Sequence, residues 1–243
     1  MRDTKDRLIV ALDVDTLEEV ARLVSALKGQ VGMYKVGLQL YSRLGPQVVE
    51  YIQGQGEKVF ADLKLHDIPN TVAMATRALT HLGANVIDIH VAGGVEMMEE
   101  AARSAREAAL EKGREKPAVI GVTVLTSLDR EALARLGLPC VDILHLVVTW
   151  AKMAQEAGLD GVVASPLEAR AIRQACGPDF LIVTPGIRPQ QVQLHDQKRV
   201  TTPGEAIRAG ASHLVIGRAI TQAGDPAQVA RQIIMEMEEA YAY

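Results

Sequence analysis

Eight short runs of aliphatic and β-branched residues alternate with longer amphipathic stretches from one end of this 243-residue chain to the other. The runs cover residues 8–14, 34–40, 58–65, 86–92, 118–125, 161–165, 180–187 and 213–218. Among the stretches between and after them, 16–27, 95–112, 141–157 and 227–241 repeat apolar residues every three and four positions, as a half-buried helix does. Thr16, with Glu19 three residues on, fits a capping box opening the first of them. Strands that are each followed by a helix must pair in parallel, and eight such units point to a closed (β/α)8 barrel. An open doubly wound sheet would carry a glycine fingerprint after its first strand, where this chain has Asp13-Val14-Asp15-Thr16. The expectation is therefore one barrel domain over residues 1–243.

Composition narrows the function classes. A hydrophobic content of 48% supplies an ample core, but aromatics are only 3%, too few for a base-stacking nucleic-acid surface. The net charge of −4, with both signs interspersed, offers no basic field for a polyanion, so an anionic ligand must be held locally. The first residues, 1–7, carry both charges and no apolar leader, and no run approaches the ~18 residues of a membrane span. Cys140 and Cys176 lack metal-type spacing and read as reduced thiols of a cytoplasmic protein.

Strand parity locates a site. Ile87, Ile89 and Val91 alternate with Asp88 and His90, and Val36 and Leu38 alternate with Lys35 and Gly37. One face suits packing on helices, while the other turns small or polar groups into the barrel. Asp62 and Lys64 share a face opposite Val59, Ala61, Leu63 and Leu65, and Asp67 follows just past the strand. Burying two acids and a lysine demands close pairing, and apolar residues of similar size would serve stability better. A surface ion-pair run is the bland alternative, and the apolar flanks argue against it. Carboxylates favour the ammonium form of a neighbouring lysine, which suits a proton donor or electrostatic stabiliser rather than a Schiff-base nucleophile. A divalent metal between the carboxylates would have to compete with that ammonium.

At the chain's far end, Gly186-Ile187-Arg188 and Gly217-Arg218 close the last two runs. Glycine admits close backbone approach and arginine presents a fork for phosphate oxygens, where this fold commonly binds phosphate. Turn glycines with solvated arginines are the alternative for either motif alone. Asp13 could merely cap the next helix, Lys35 could be an edge residue, and Thr126-Ser127 is a common loop pair. His66 reads as a turn residue, and the histidines at 81, 145, 195 and 213 have no ligand spacing.

The decapeptide from Asp62 through Lys64, His66, Asp67, Ile68 and Asn70 to Thr71 resembles the signature of the orotidine 5′-phosphate decarboxylases. The resemblance continues in order through Lys35-Val36-Gly37, His90 to Gly94, Leu125-Thr126-Ser127, Pro185 to Arg188, Asp196 to Val200 and Gly217 to Ile220, in the spacing of the short bacterial form. It implies decarboxylation of orotidine 5′-phosphate to UMP, the last step of pyrimidine nucleotide synthesis, without cofactor or metal. Lys64 is then the acid that protonates C6, Asp62 faces the substrate carboxylate, and Lys35 bridges Asp62 and the ribose. Asp13 binds the ribose and Thr126 the pyrimidine edge. Arg188, Gln197, Gly217 and Arg218 hold the phosphate, with Gln197 on a lid over 188–202. Asp67, Ile68 and Thr71 reach the neighbouring subunit's site in a homodimer.

Two other readings compete. Metal-dependent phosphosugar enzymes of the same superfamily share the Asp-x-Lys-x-x-Asp core but carry an acidic ligand on the second strand, where this chain has Lys35. A non-catalytic phosphate-binding barrel would have a broken charge cluster, whereas every member is present here.

Overall fold

The computed structural model describes residues 3–138, 142–189 and 201–240. Eight parallel strands close in chain order: β1 (Leu8–Ala11), β2 (Met33–Gly37), β3 (Val59–Leu65), β4 (Val86–His90), β5 (Ala118–Val122), β6 (Gly161–Val163), β7 (Leu181–Thr184) and β8 (His213–Ile216). β8 pairs back onto β1, so the barrel has no open edge. The helices are α1 (Leu17–Leu27), α2 (Leu38–Leu44), α3 (Gln47–Gly54), α4 (Pro69–Leu82), α5 (Val95–Glu111), α6 (Arg130–Arg135), α7 (Ile143–Glu156), α8 (Pro166–Cys176), α9 (Pro203–Arg208), α10 (Arg218–Thr221) and α11 (Pro226–Glu239). The expected (β/α)8 barrel is the architecture found. Among the described residues, no helix is long and apolar enough to cross a membrane.

Local chemistry sets these elements. At α1 the Thr16 hydroxyl accepts the Glu19 N–H at 3.2 Å, while the Glu19 carboxylate accepts the Thr16 N–H at 3.1 Å. The helix then buries Val20, Leu23, Val24 and Leu27 against the outside of the barrel. The predicted parity holds: Val36, Ile87, Ile89 and Val91 pack outward under the helices. Inside, Ile9, Met33, Phe60, Val86, Ile120, Val183 and Val215 form an apolar plug, so the interior is polar only toward one end.

Several strands stop short of the runs that suggested them. The run 8–14 leaves the sheet after Ala11, and 34–40 turns into α2 at Leu38, whose side chain is exposed. Apolar content continues into these segments, but the registered partners end at Ala11↔Lys35 and Gly37↔Asp62. β3 also departs from simple alternation. Ala61 pairs with Ile87 but Leu65 with Ile89, so four residues on β3 span two on β4. Lys64 takes up the excess with φ +50°, a conformation that only glycine adopts cheaply.

Candidate active site

The strand ends surround a cavity of about 340 Å³ at the C-terminal mouth of the barrel. Ala11, Phe60 and Val215, the upper members of the plug, form its floor. Asp13, Lys35, Asp62, Lys64, Thr126, Gly186 and Gly217 line its walls.

A relay of charges runs along one side. Asp62 is only 8% exposed and accepts from the Lys35 ammonium at 2.9 Å and from the Lys64 ammonium on its other oxygen. Lys35, 9% exposed, also lies 3.6 Å from the Asp13 carboxylate at the more open rim. Two glycines make room. A Cβ on Gly37 would stand 3.0 Å from the Lys35 ammonium, and one on Gly217 would stand 3.3 Å from an Asp13 oxygen. Burial disfavours the Lys35 charge, but Asp62 and Asp13 outweigh it and hold its pKa above the ordinary lysine value. Burial likewise pushes the Asp62 carboxyl up, yet a hydrogen bond with Asp88 and the two ammoniums overcome this and hold it below the usual carboxylate range.

Asp88 was legible only as an alternating polar residue on the fourth run, not as part of the site. It is fully buried behind the cavity wall and accepts the Lys64 backbone N–H at 2.8 Å. Burial first, and the Asp62 charge next, push its carboxyl well above the ordinary range. The signal available in the sequence was a charged residue in mid-strand between Ile87 and Ile89, on the face shared with His90. The His90 ring lies 5.3 Å, centre to centre, from that of His66 and is tilted 41° to it; burial, His66 and Lys64 lower the His90 pKa.

Asp67 does not join the buried cluster, contrary to a literal reading of the motif. It is exposed at the start of α4, where its carboxylate accepts the Ile68 N–H at 2.7 Å. Ile68 (66% exposed) and Thr71 are exposed beside it, and none of the three lines the cavity of its own chain. The segment turns outward because Pro69 opens α4 immediately after the strand end. Arg188 is half-buried beyond β7, where its N–H donates to the Thr201 carbonyl at 3.2 Å, and Arg218 is exposed at the start of α10 beyond β8. Gln197 and most of the expected lid, 190–200, lie outside the described residues, as does Cys140.

The sequence profile of the orotidine 5′-phosphate decarboxylase / HUMPS family matches residues 6–233. The chain belongs to this family. Among its relatives in the orotidine 5′-phosphate decarboxylase / HUMPS family, the orotidine 5′-phosphate decarboxylase of Moorella thermoacetica is 54% identical over 96% of this chain and 93% of its own. That of Syntrophomonas wolfei is 49% identical over 97% of this chain and 99% of its own. The crystal structure of orotidine 5′-phosphate decarboxylase from Lactobacillus acidophilus superposes with a TM-score of 0.84 at 37% identity, covering 95% of this chain and 98% of that one. The likeness extends over nearly the whole of each chain rather than over a shared motif.

Proposed function

We propose that this chain converts orotidine 5′-phosphate to UMP and carbon dioxide. The observation that carries the reading is the Lys35–Asp62–Lys64 relay along the wall of the mouth cavity, in a chain whose full-length relatives bear the name of that activity.

The chemistry required is limited and suits the groups present. Cleavage of the bond from C6 to the carboxylate carbon leaves an electron pair on C6, for which the ring offers no ordinary sink. An ammonium fixed beside that carbon stabilises the developing charge and delivers the proton that completes UMP. Lys64 is the donor, because its nitrogen is tied to Asp62 at the cavity wall. Asp62 faces the departing carboxylate, Lys35 spans Asp62 and the ribose, and Asp13 binds the ribose hydroxyls. Thr126 meets the pyrimidine edge. Arg188, Gln197, Gly217 and Arg218 bind the phosphate, whose grip on the far end of the substrate contributes to the chemical step.

The exposed, outward-turned Asp67, Ile68 and Thr71 support a homodimer in which Asp67 of the partner subunit completes each site. The same reading makes this a cytoplasmic enzyme of pyrimidine synthesis. The family name also covers phosphosugar enzymes, but the Lys35 ammonium occupies the place from which a second-strand acid would hold a cation.

The deciding experiment follows the ultraviolet absorbance of orotidine 5′-phosphate mixed with purified protein, with and without a chelator. Conversion to UMP that is indifferent to chelator is expected. Nucleotide binding without carbon dioxide release, or activity abolished by chelator and restored by a divalent cation, would overturn the assignment.

A further inference from the structure

Asp88 is the most deeply buried acid near the cavity and does not line it. One oxygen, Oδ1, accepts the Lys64 N–H in place of a strand-ladder partner, at the point where the β3–β4 register breaks. The other, Oδ2, finds no N–H or O–H donor among the described residues, and the group within hydrogen-bonding reach is the carboxyl of Asp62. Two carboxyls can bond only when one carries a proton. Asp62 already accepts from two ammoniums, so its charge is compensated, whereas Asp88 lies in register with apolar Ile120 on β5. The charged groups facing Asp88 are Asp62 and Lys64 on β3 and Lys35 on β2, with His90 two residues along its own strand.

We propose that Asp88 is a positioning residue for Lys64: a carboxylic acid that holds the β3 bulge by accepting the Lys64 N–H and donates its proton to Asp62, so fixing both ends of the Lys64–Asp62 pair. The inference deepens the decarboxylase reading and rests on it for its kinetic consequence. It accounts for three observations together. Lys64 keeps a left-handed backbone because an acceptor waits beneath its N–H. The buried Oδ2 has a partner once it is protonated. Asp62 is held from behind as well as by its ammoniums.

The test compares Asp88→Val with Asp88→Asn in the full-length enzyme. Valine fits the strand but offers neither acceptor nor donor. Asparagine supplies an amide oxygen for the Lys64 N–H and an amide N–H for Asp62. A displaced catalytic group costs up to about 100-fold. Asp88→Val should therefore lower kcat by about 10- to 100-fold with KM held within about threefold, and Asp88→Asn should restore most of kcat. A fall in kcat below about threefold for Asp88→Val, a loss lying mainly in KM, or an Asp88→Asn variant as impaired as Asp88→Val would overturn the proposal. Infrared difference spectra of the unliganded protein at neutral pH judge Asp88 independently of turnover. A protonated-carboxyl band present in wild type and missing from Asp88→Asn is expected, and a wild-type spectrum without it defeats the proposal. If wild type fails to convert orotidine 5′-phosphate, the decarboxylase reading falls while the infrared band still decides the proton. If Asp88→Val does not fold, the kinetics and spectrum of Asp88→Asn decide.

Discussion

Replacing Asp88 by asparagine should change how stability depends on pH, in a direction and with a slope fixed by the buried proton. In the unfolded chain an aspartate titrates near its ordinary value of about 3.9 and is ionised above about pH 5. On the proposal above, the folded Asp88–Asp62 pair retains a proton where no N–H or O–H donor reaches Asp88 Oδ2 among the described residues, and burial with the Asp62 charge pushes Asp88 in the same direction. Unfolding then releases a proton, so wild-type stability falls with rising pH by about 1.4 kcal/mol per unit until the folded pair itself ionises. Asp62 acts in another window. Its depressed carboxyl contributes stability present above the ordinary carboxylate range and lost only as pH falls below it, so its share is constant here. His90, whose pKa is lowered, titrates in both proteins and cancels in their difference. Asparagine has no proton to hold, so Asp88→Asn should gain about 1.4 kcal/mol over wild type between pH 5 and 6. Urea denaturation at matched protein concentration and half-unit pH steps reads the difference directly. Curves for the two proteins that stay parallel across that interval would refute a buried proton on the pair.

Other perturbations test the relay itself. Lys64→Ala should reduce turnover by at least about 100-fold while calorimetry still detects UMP binding; near-normal turnover would remove Lys64 as the proton donor. Inactive Lys64→Ala and Asp67→Ala proteins should regain activity when mixed, since one of the two sites then combines an intact Lys64 with the partner subunit's Asp67. Persistent inactivity despite proven subunit exchange would rule out site sharing. Lys35→Met should cost about 3–5 kcal/mol in denaturant unfolding, because it strips a buried partner from Asp62; a cost below about 1 kcal/mol would mean the pair is relaxed by solvent.

The barrel was legible because parallel pairing and helical crossovers leave a periodic trace, and eight repeats of it admit few closed solutions. Lys35, Asp62 and Lys64 were legible because period-two alternation turned them to one side, and the structure brings all three within a single relay. The bulge left no trace, since an extra pair of residues on β3 looks the same in sequence as a longer strand. The role of Asp88 is hidden in the sequence for a related reason. Its role depends on meeting Lys64 across the displaced register, a relation between strands separated by a whole helix. Asp67 stands beside the cluster in the motif but apart from it in space, because Pro69 opens α4 and redirects the chain outward within two residues.

A proton on Asp88 would also balance the charge of the cavity. With Asp88 neutral, the Lys35 and Lys64 ammoniums stand against Asp62 and, at the rim, Asp13, and the cluster is balanced. An ionised Asp88 would set three carboxylates against two ammoniums beside the place where the proposed substrate would bring another carboxylate. Such a site would repel its ligand and weaken the grip of Asp62 on the Lys64 nitrogen. A carboxylic acid avoids both effects, keeping the acceptor that the bulge needs and adding a donor where Asp62 has room for one. The left-handed backbone at Lys64 costs about 1–2 kcal/mol by itself. On the proposal above, a neutral, buried partner stabilises it without adding charge, so the order of Lys64 originates in a residue outside the cavity lining.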